Sequence, residues 1–331
     1  MLAAVDRTHL GSRAEAARSP RMGTGRFAPS PTGELHLGNL RTAILAWLLA
    51  RQEGLRFVMR IEDLDRVRPG AAEQQLADLK SLGLDWDATP GEDPQRHDHV
   101  LRQSTRLAAY DAAVQKLQDA GLLYECYCTR REILEAASAP HGIPGSYPGT
   151  CRNLSDTERK SRREIRPPAL RLRAEISEFT VQDMFAGEYT GAVDDVVVRR
   201  NDGTYAYNLA VVVDDHYQGV TQVVRGDDLL SSAPRQAYLA ALLGYEPPHY
   251  AHVPLALNTE GKRLAKRDGA VTLRQLRDAG FAESDILEWI RASIPIPDAP
   301  QFPKSAQDFL ECFDPKAMSP KPWIITNPLD L

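Results

Sequence analysis

Residues 24–39 read Thr24-Gly25-Arg26-Phe27-Ala28-Pro29-Ser30-Pro31-Thr32-Gly33-Glu34-Leu35-His36-Leu37-Gly38-Asn39, and residues 40–52 continue LRTAILAWLLARQ. The first half is turn chemistry, with two prolines around Ser30 and Gly33 behind them. In the second half Leu40, Ala43, Ile44, Trp47 and Leu48 recur at helical spacing, and Gly54 stops the run. Leu55 to Ile61 then reads as a buried strand ending in Glu62, Asp63 and Asp65. Gly23-Thr24-Gly25-Arg26-Phe27-Ala28 fits the G-x-G-x-x-A dinucleotide fingerprint. That motif needs a helix to open at once, and Pro29-Ser30-Pro31 blocks one, which argues against a nicotinamide or flavin site. No Walker A pattern is present, so P-loop chemistry is out as well. His36-Leu37-Gly38-Asn39 opens the helix, where unpaired N–H groups and a partial positive charge suit a phosphate. Gly38 lets such a ligand approach the backbone, and His36 can donate a hydrogen bond to it.

Farther along, residues 98–120 read as one helix, with Val100, Leu107, Val114 and Leu117 on a shared face and Gly121 at its end. A strand–helix–strand unit of this kind predicts an α/β fold with a parallel sheet. Residues 138–150, dense in Gly, Pro and Ser, suit a loop around an inserted module. Val196 to Arg199, the turn Asn201-Asp202-Gly203 and Thr204 to Leu209 read as a hairpin, and Val211 to Val213 prolong the apolar run. Val220 to Val224 is a further strand before Arg225-Gly226, and a helix follows Pro234 and ends at Gly244. The pattern is helical from Leu273. Beyond Ile294, which eight of the 23 prolines follow, the chain is expected to run extended and to wrap or fray.

The chain has 331 residues, room for about two domains, and its 43% apolar and 26% charged content is that of a globular protein. The longest unbroken apolar run, Ala43 to Ala50, is eight residues. Against the ~20 needed to span a bilayer, that predicts no membrane helix. Forty basic against 45 acidic side chains leave a net charge of −5. Non-specific affinity for polyanions scales with neutralised phosphates, so a nucleic-acid partner would have to meet a local basic face. Arg159, Lys160, Arg162, Arg163, Arg166, Arg171 and Arg173 form one candidate, and a solvated surface segment is the plainer reading. Residues 1–21 are rich in Arg and Ala without periodicity and are expected to be a disordered extension ahead of Met22. With no signal-peptide pattern, a cytoplasmic protein with reduced cysteines is expected.

Three of the four cysteines fall close together, as Cys126-x-Cys128 and Cys151, with Cys312 far away. This pattern suggests a closed zinc site, against the alternative of buried bystander thiols. For a fourth ligand the spacing leaves two choices open, His141 and Tyr147. Thr129-Arg130-Arg131-Glu132 is a capping box that would start a helix just after the pair. Lys262 to Arg267, between Gly261 and Gly269, is a basic loop whose lysines could neutralise charge on a transferring phosphate. Glu62 and Arg225 each sit at a strand end, where ligand groups gather at the carboxyl edge of an open α/β sheet.

Together these segments resemble a family. Residues 26–33, His36 to Asn39, Arg60-Ile61-Glu62-Asp63-Leu64-Asp65, Arg225-Gly226-Asp227-Asp228-Leu229 and the loop Arg263 to Arg267 are similar, in order, to class I glutamyl-tRNA synthetases. The last of them stands where that class has its Lys-Met-Ser-Lys-Ser signature. Only 65 residues follow Lys266, too few for that family's C-terminal anticodon-binding region. Cys126-x-Cys128, Tyr147-x-x-x-Cys151 and the run Tyr207 to Asp215 resemble its truncated paralogues, the glutamyl-queuosine tRNA(Asp) synthetases.

The resemblance implies a class I, Rossmann-type (HUP) nucleotide-binding fold with a zinc-bearing insertion, a short helical C-terminus and no anticodon-binding domain. It divides the chain into the extension 1–21, a first nucleotide-binding half 22–124 and the zinc-bearing insertion 125–193. A second half, 194–260, and the signature loop with a Pro-rich C-terminus, 261–331, complete it. It selects Tyr147 as the fourth zinc ligand. It places L-glutamate against Arg26, Phe27, Ala28, Pro29, Ser30, Glu62, Tyr207 and Arg225. ATP, used with magnesium, falls to His36, Gly38, Asn39 and Lys266, with His36 and Lys266 catalytic. Arg263 and Ala265 depart from the loop signature, where lysine and serine are usual. The implied reaction is tRNA-independent activation of glutamate, then transfer to the queuosine base at the wobble position of tRNA(Asp) by a monomer. The alternatives are a truncated synthetase charging a tRNA 3′ end and a non-catalytic binding module.

Overall fold

The computed structural model describes residues 23–90, 98–137, 147–264, 271–294, 296 and 299–326. Lys266, Ala265, His141 and the extension 1–21 lie outside the described residues. The first strand, β1 (Thr24–Phe27), is buried along its whole length. The helix α1 (Leu37–Gln52) starts at a reciprocal cap: His36 Nδ1 accepts the Asn39 N–H at 3.2 Å, and Asn39 Oδ1 accepts the His36 N–H at 3.3 Å. Apolar on nearly every side, α1 is buried in one core with Leu273, Leu276, Ile286, Leu287 and Phe309 from the C-terminal part. A Cβ on Gly25 would meet the Ala50 Cβ at 2.7 Å. The fingerprint-like glycine therefore lets α1 lie against β1 and serves packing.

The strand β2 (Arg56–Ile61) runs parallel to β1, as expected of the strand–helix–strand unit. After α2 (Ala71–Ser81), residues 98–120 depart from the expected single helix. They form β3 (Val100–Arg102), a 3₁₀ turn over Gln103–Thr105 and α3 (Leu107–Asp119). Val100 pairs with Met59 in a parallel ladder and is fully buried, whereas Leu107 is 48% exposed. A three-residue strand followed by a turn mimics one helical face, and the ladder hydrogen bonds decide between them.

The middle of the chain holds β4 (Leu123–Cys126), α4 (Arg130–Ala137), α5 (Asp156–Ile165), β5 (Ala169–Leu172), β6 (Glu178–Asp183), β7 (Gly187–Ala192) and β8 (Val197–Arg199). Thr129 and Glu132 cap α4 as their spacing predicts. The strands β4, β5 and β8 make a small antiparallel sheet. The expected hairpin forms only its first arm and its turn. The return arm is a single bridge between Arg199 and Tyr205, and the chain then enters α6 (Tyr207–Tyr217). Val211 to Val213 are therefore helical, because burial of α6 against α3 and α7 (Ala233–Leu242) outweighs their strand preference.

The strands β9 (Gln222–Gly226) and β10 (His249–Val253) flank α7, and β11 (Ala256–Asn258), α8 (Leu273–Asp278), α9 (Glu283–Ala292) and β12 (Trp323–Ile325) complete the chain. The Pro-rich tail wraps: Ile296, Phe309 and Phe313 are buried, and β12 pairs with β11 in a parallel ribbon. The main sheet has seven strands in the order β3-β2-β1-β9-β10-β6-β7, antiparallel only between β6 and β7. Residues 178–192, assigned from sequence to the insertion, thus extend the main sheet. The strand order reverses between β1 and β9, and such a switch point opens a crevice at the carboxyl ends of its strands. Among the described residues, no helix is long and apolar enough to cross a membrane.

Candidate active site

At that crevice β1, β2 and β9 bring together three guanidinium groups, Arg26, Arg60 and Arg225, none more than 5% exposed. Glu62 follows β2 directly, its N–H donated to the Pro29 carbonyl at 3.0 Å. Arg60 Nη1 lies 2.8 Å from Asp215 Oδ1, and its Nη2 lies 3.5 Å from Glu62 Oε1. Arg26 Nε stands 3.5 Å from the same Asp215 oxygen, and its Nη1 donates to the Val224 carbonyl at 3.4 Å. Burial opposes the Arg60 charge, but Asp215, Glu62 and Asp214 outweigh it and raise its pKa. The Glu62 carboxyl is also pushed up, chiefly by burial, with the Arg60 and Arg26 charges pulling the other way. Its carboxylate accepts no hydrogen bond from the described residues, although it is 91% buried by its 9% exposure.

Arg225 is held from three sides. Its Nε donates to His252 Nε2 at 3.0 Å, Nη1 to Gln236 Oε1 at 2.7 Å and Nη2 to the Leu229 carbonyl at 3.3 Å. Tyr207, the first residue of α6, is 42% exposed and feels the charges of Glu62, Arg225 and Arg26. A cleft of about 790 Å³ runs from Ser30, Glu62 and Tyr207 to Cys126, Arg130 and Arg200. Arg26 and Arg225 are not on its lining, and Phe27 and Pro29 are buried beneath the turn.

The phosphate-type end is the start of α1. Because His36 Nδ1 accepts from Asn39, its Nε2 carries the ring proton. A Cβ on Gly38 would meet Ala256 at 3.0 Å and the His36 ring at 3.1 Å, so the close approach there requires glycine. The described residues that flank the signature loop lie beside this end. Arg263 bridges to Leu257, and the Leu37 N–H donates to the Val271 carbonyl at 3.3 Å. The Arg263 side chain forms an ion pair with Asp228.

At the far end of the cleft, the Sγ atoms of Cys126, Cys128 and Cys151 all lie within 4.8 Å of one another. Tyr147 Oη is 3.4 Å from Cys126 Sγ and 3.6 Å from Cys128 Sγ, and Cys128 and Cys151 are 3.5 Å apart. Thiolate and oxygen ligands around one tetrahedral ion stand ~3.5–3.8 Å apart, so this donor set fits a metal. The Cys126 thiol is pulled down, first by a hydrogen bond from Cys151 and then by Tyr147 and Arg171. The Arg171 guanidinium lies 3.7 Å over the Tyr147 ring, where its charge favours an anionic ligand set.

Residues 24–327 match the family of class I tRNA synthetases (E and Q), catalytic domain. The chain belongs to that family. This synthetase chain is 58% identical over 306 residues to the Glutamyl-Q tRNA(Asp) synthetase of Nocardia farcinica, covering 92% of this chain and 94% of that protein. It is 43% identical over 266 residues to a glutamate–tRNA ligase of a Synechococcus species, covering 77% of this chain and 53% of that protein. A crystal structure of a glutamate tRNA ligase from Elizabethkingia meningosepticum in complex with its amino acid matches with TM-score 0.76 at 27% identity, covering 92% of this chain and 67% of that one.

Several groups of this synthetase site are not among the residues picked out from sequence. Arg60, Asp214, Asp215, Asp183, Gln236 and His252 are each at most 9% exposed. Three carried a signal: Arg60 interrupts an otherwise apolar strand, and Asp214-Asp215 follow three valines. The basic segment 159–173 does not form one face. No residue of α5 is buried, while Arg171 on β5 is 7% exposed and lies over the Tyr147 ring beside the cysteine cluster. Arg163 is paired to Glu125 at 2.8 Å.

Proposed function

We propose that this synthetase activates L-glutamate with ATP, without needing tRNA, and transfers the glutamyl group to the queuosine base at the wobble position of tRNA(Asp). The observation that carries the glutamate assignment is the cluster of Arg26, Arg60 and Arg225 near a buried Glu62 whose carboxylate accepts no hydrogen bond from the described residues. A substrate with two carboxylates wants planar guanidinium partners, and its ammonium wants a carboxylate. Arg26 and Arg225 take the carboxylates, Glu62 takes the ammonium, and Tyr207 donates its hydroxyl. The backbone from Phe27 to Ser30 forms the rim. Similarity to proteins named Glutamyl-Q tRNA(Asp) synthetase over almost their full length supports the acceptor assignment.

ATP lies over His36, Gly38 and Asn39, with the His36 Nε2 proton donated to a phosphate oxygen and Lys266 closing from its loop. Magnesium bound with the ATP would neutralise part of the phosphate charge. A glutamate carboxylate oxygen attacks the α-phosphorus, the bond to the bridging oxygen breaks, and pyrophosphate leaves. A hydroxyl of the queuosine ring then attacks the activated carbonyl, forming the ester and releasing AMP. The protein contributes position and fixed charge. Zinc is the ion for Cys126, Cys128, Tyr147 and Cys151, and it would fix the β4-β5-β8 module at the cleft mouth.

The test is transfer of labelled glutamate, with ATP and magnesium, to tRNA(Asp) with and without queuosine, followed by nuclease mapping. Label that requires queuosine and stays with the anticodon fragment is the expected result. Label at the 3′ end of a tRNA would assign a short aminoacyl-tRNA synthetase instead. With neither label nor glutamate-dependent pyrophosphate exchange, the chain would be a binding module.

A further inference from the structure

We infer that Asp183 and His252, two residues outside the substrate contacts, are positioning residues that aim Arg225 at its carboxylate. This rests on the assignment of Arg225 to glutamate. The two strands that carry the pair make the arrangement possible. His252 on β10 stands in register with Arg225 on β9, and in a parallel ladder registered side chains point to the same face. Asp183 ends β6, the next strand across, and its Oδ2 lies 2.6 Å from His252 Nδ1. The same oxygen accepts the His252 N–H at 3.1 Å, while the Phe185 and Ala186 N–H groups, each at 2.9 Å, are donated to Oδ1. Asp183 and His252 are 4% and 3% exposed.

Donor and acceptor chemistry fixes the proton. A guanidinium N–H can only donate, so His252 Nε2 must accept from Arg225 Nε. The ring proton is then on Nδ1 and is donated to Asp183. This is a neutral imidazole, and the balance of its surroundings agrees with it. Burial and the Arg225 charge both lower the His252 pKa, while Asp183 raises it, and the net direction is down. The four donors on Asp183 keep it ionised, with a pKa near 2. Tyr250 lies beside the imidazole, with ring centroids 5.7 Å apart and planes inclined by 22°.

A second arm mirrors the first. Gln236 Oε1 accepts Arg225 Nη1, and its Nε2 donates to Asn208 Oδ1 at 2.9 Å, next to Tyr207. With Nε, one Nη1 proton and one Nη2 proton engaged by described residues, two of the five guanidinium N–H groups are left for a ligand carboxylate. The side that holds Arg225 and the side that binds are thereby separated.

Two substitutions divide the imidazole's tasks. His252→Gln can place an amide oxygen near the Nε2 position and so keep the acceptor for Arg225. His252→Asn can place an amide N–H near the Nδ1 position, so it keeps the donor to Asp183 and loses the acceptor. Kinetics of glutamate-dependent pyrophosphate exchange, with thermal midpoints, are measured for both and for Arg225→Lys. The expected result is a glutamate KM raised about tenfold in His252→Asn and by no more than about threefold in His252→Gln, one lost hydrogen bond to a charged group. The ATP KM should stay unchanged in both. A raised glutamate KM in Arg225→Lys with wild-type values in both His252 variants would overturn the positioning role. Equal losses in glutamate and ATP KM that track the thermal midpoint would do the same, since they report a structural role only. An unchanged glutamate KM in Arg225→Lys would instead remove the assignment of Arg225 to substrate, and the inference with it.

Discussion

Replacing Glu62 by Gln separates binding from stability, because the two depend on its charge with opposite sign. The carboxylate is 9% exposed, has no hydrogen-bond donor among the described residues and lies 3.5 Å from Arg60. Its pKa is raised by burial, so the folded state disfavours the ionised form. A group of that kind stabilises the fold below its unfolded pKa and loses that contribution as pH rises through the folded pKa. Ionising Glu62 is therefore a cost to folding, and Gln, of equal size, removes it. The urea midpoint of Glu62→Gln should be unchanged or slightly higher. Binding moves the other way. The substrate ammonium loses the carboxylate assigned to it, a charge-assisted hydrogen bond of about 2 kcal/mol, which corresponds to about thirtyfold in glutamate KM. Pyrophosphate exchange against glutamate concentration measures it. In the wild type the glutamate KM should rise on acidification from above the ordinary carboxylate range, and in the variant that limb should shrink to what His252 contributes. A variant that unfolds at lower urea with an unchanged glutamate KM would refute the reasoning, since Glu62 would then be a partner for Arg60 and nothing more.

Other perturbations follow from the same network. Asp214 is fully buried and accepts Gln103 Nε2 at 3.0 Å, Arg106 Nε at 3.1 Å and the Tyr110 hydroxyl at 2.6 Å, so Asp214→Asn should cost stability in urea unfolding. The loss should be about 3 kcal/mol, the scale for breaking a buried charge pair. Arg171→Met removes the cation over the Tyr147 ring and should weaken zinc affinity about 10- to 100-fold in chelator competition, with the cysteines untouched. Lys266→Ala should lower kcat for pyrophosphate exchange about a hundredfold while leaving the glutamate KM near wild type, and equal losses in both would count against its role on phosphate.

The parallel sheet and the starts of α1, α4 and α8 were legible because local rules and burial agree there. α1 opens at His36 to Asn39 as the sequence suggests, and the apolar run from Ala43 to Ala50 is buried in the core. Sequence failed where a tertiary partner decides. Val211 to Val213 look like strand until α3 and α7 are placed against them, and Val100 looks helical until Met59 is placed beside it. The cysteine cluster was visible as spacing, yet the choice of Tyr147 over His141 depended on resemblance. The chain from Asp183 through His252 to Arg225 spans three strands drawn from positions 183, 225 and 252, and no local pattern joins them. Residues that act through another residue leave a sequence signal only when, like Arg60, they put a charge where the surroundings are apolar.

The charge tally of the crevice bears on which amino acid it accepts. Arg26, Arg60 and Arg225 face Glu62 and Asp215, so the cluster carries one positive charge in excess. Asp214 does not alter this balance, because Arg106 lies 3.1 Å from it. Asp183 is ionised and its donors are neutral, but the His252 ring stands between it and Arg225, so its charge is not in direct contact with the three guanidinium groups. Glutamate, with two carboxylates and one ammonium, brings one net negative charge and completes the set. Glutamine has nearly the same shape and no net charge, and it would leave a guanidinium buried against an amide. Breaking a buried charge pair costs about 3–5 kcal/mol, which predicts discrimination of at least about a hundredfold in kcat/KM, with no editing step required. Competition between the two amino acids in pyrophosphate exchange reads this ratio directly. Activation of glutamine within about tenfold of glutamate would mean that an anion from solvent or a rotated Asp215 balances the excess charge, and that shape rather than charge selects the substrate.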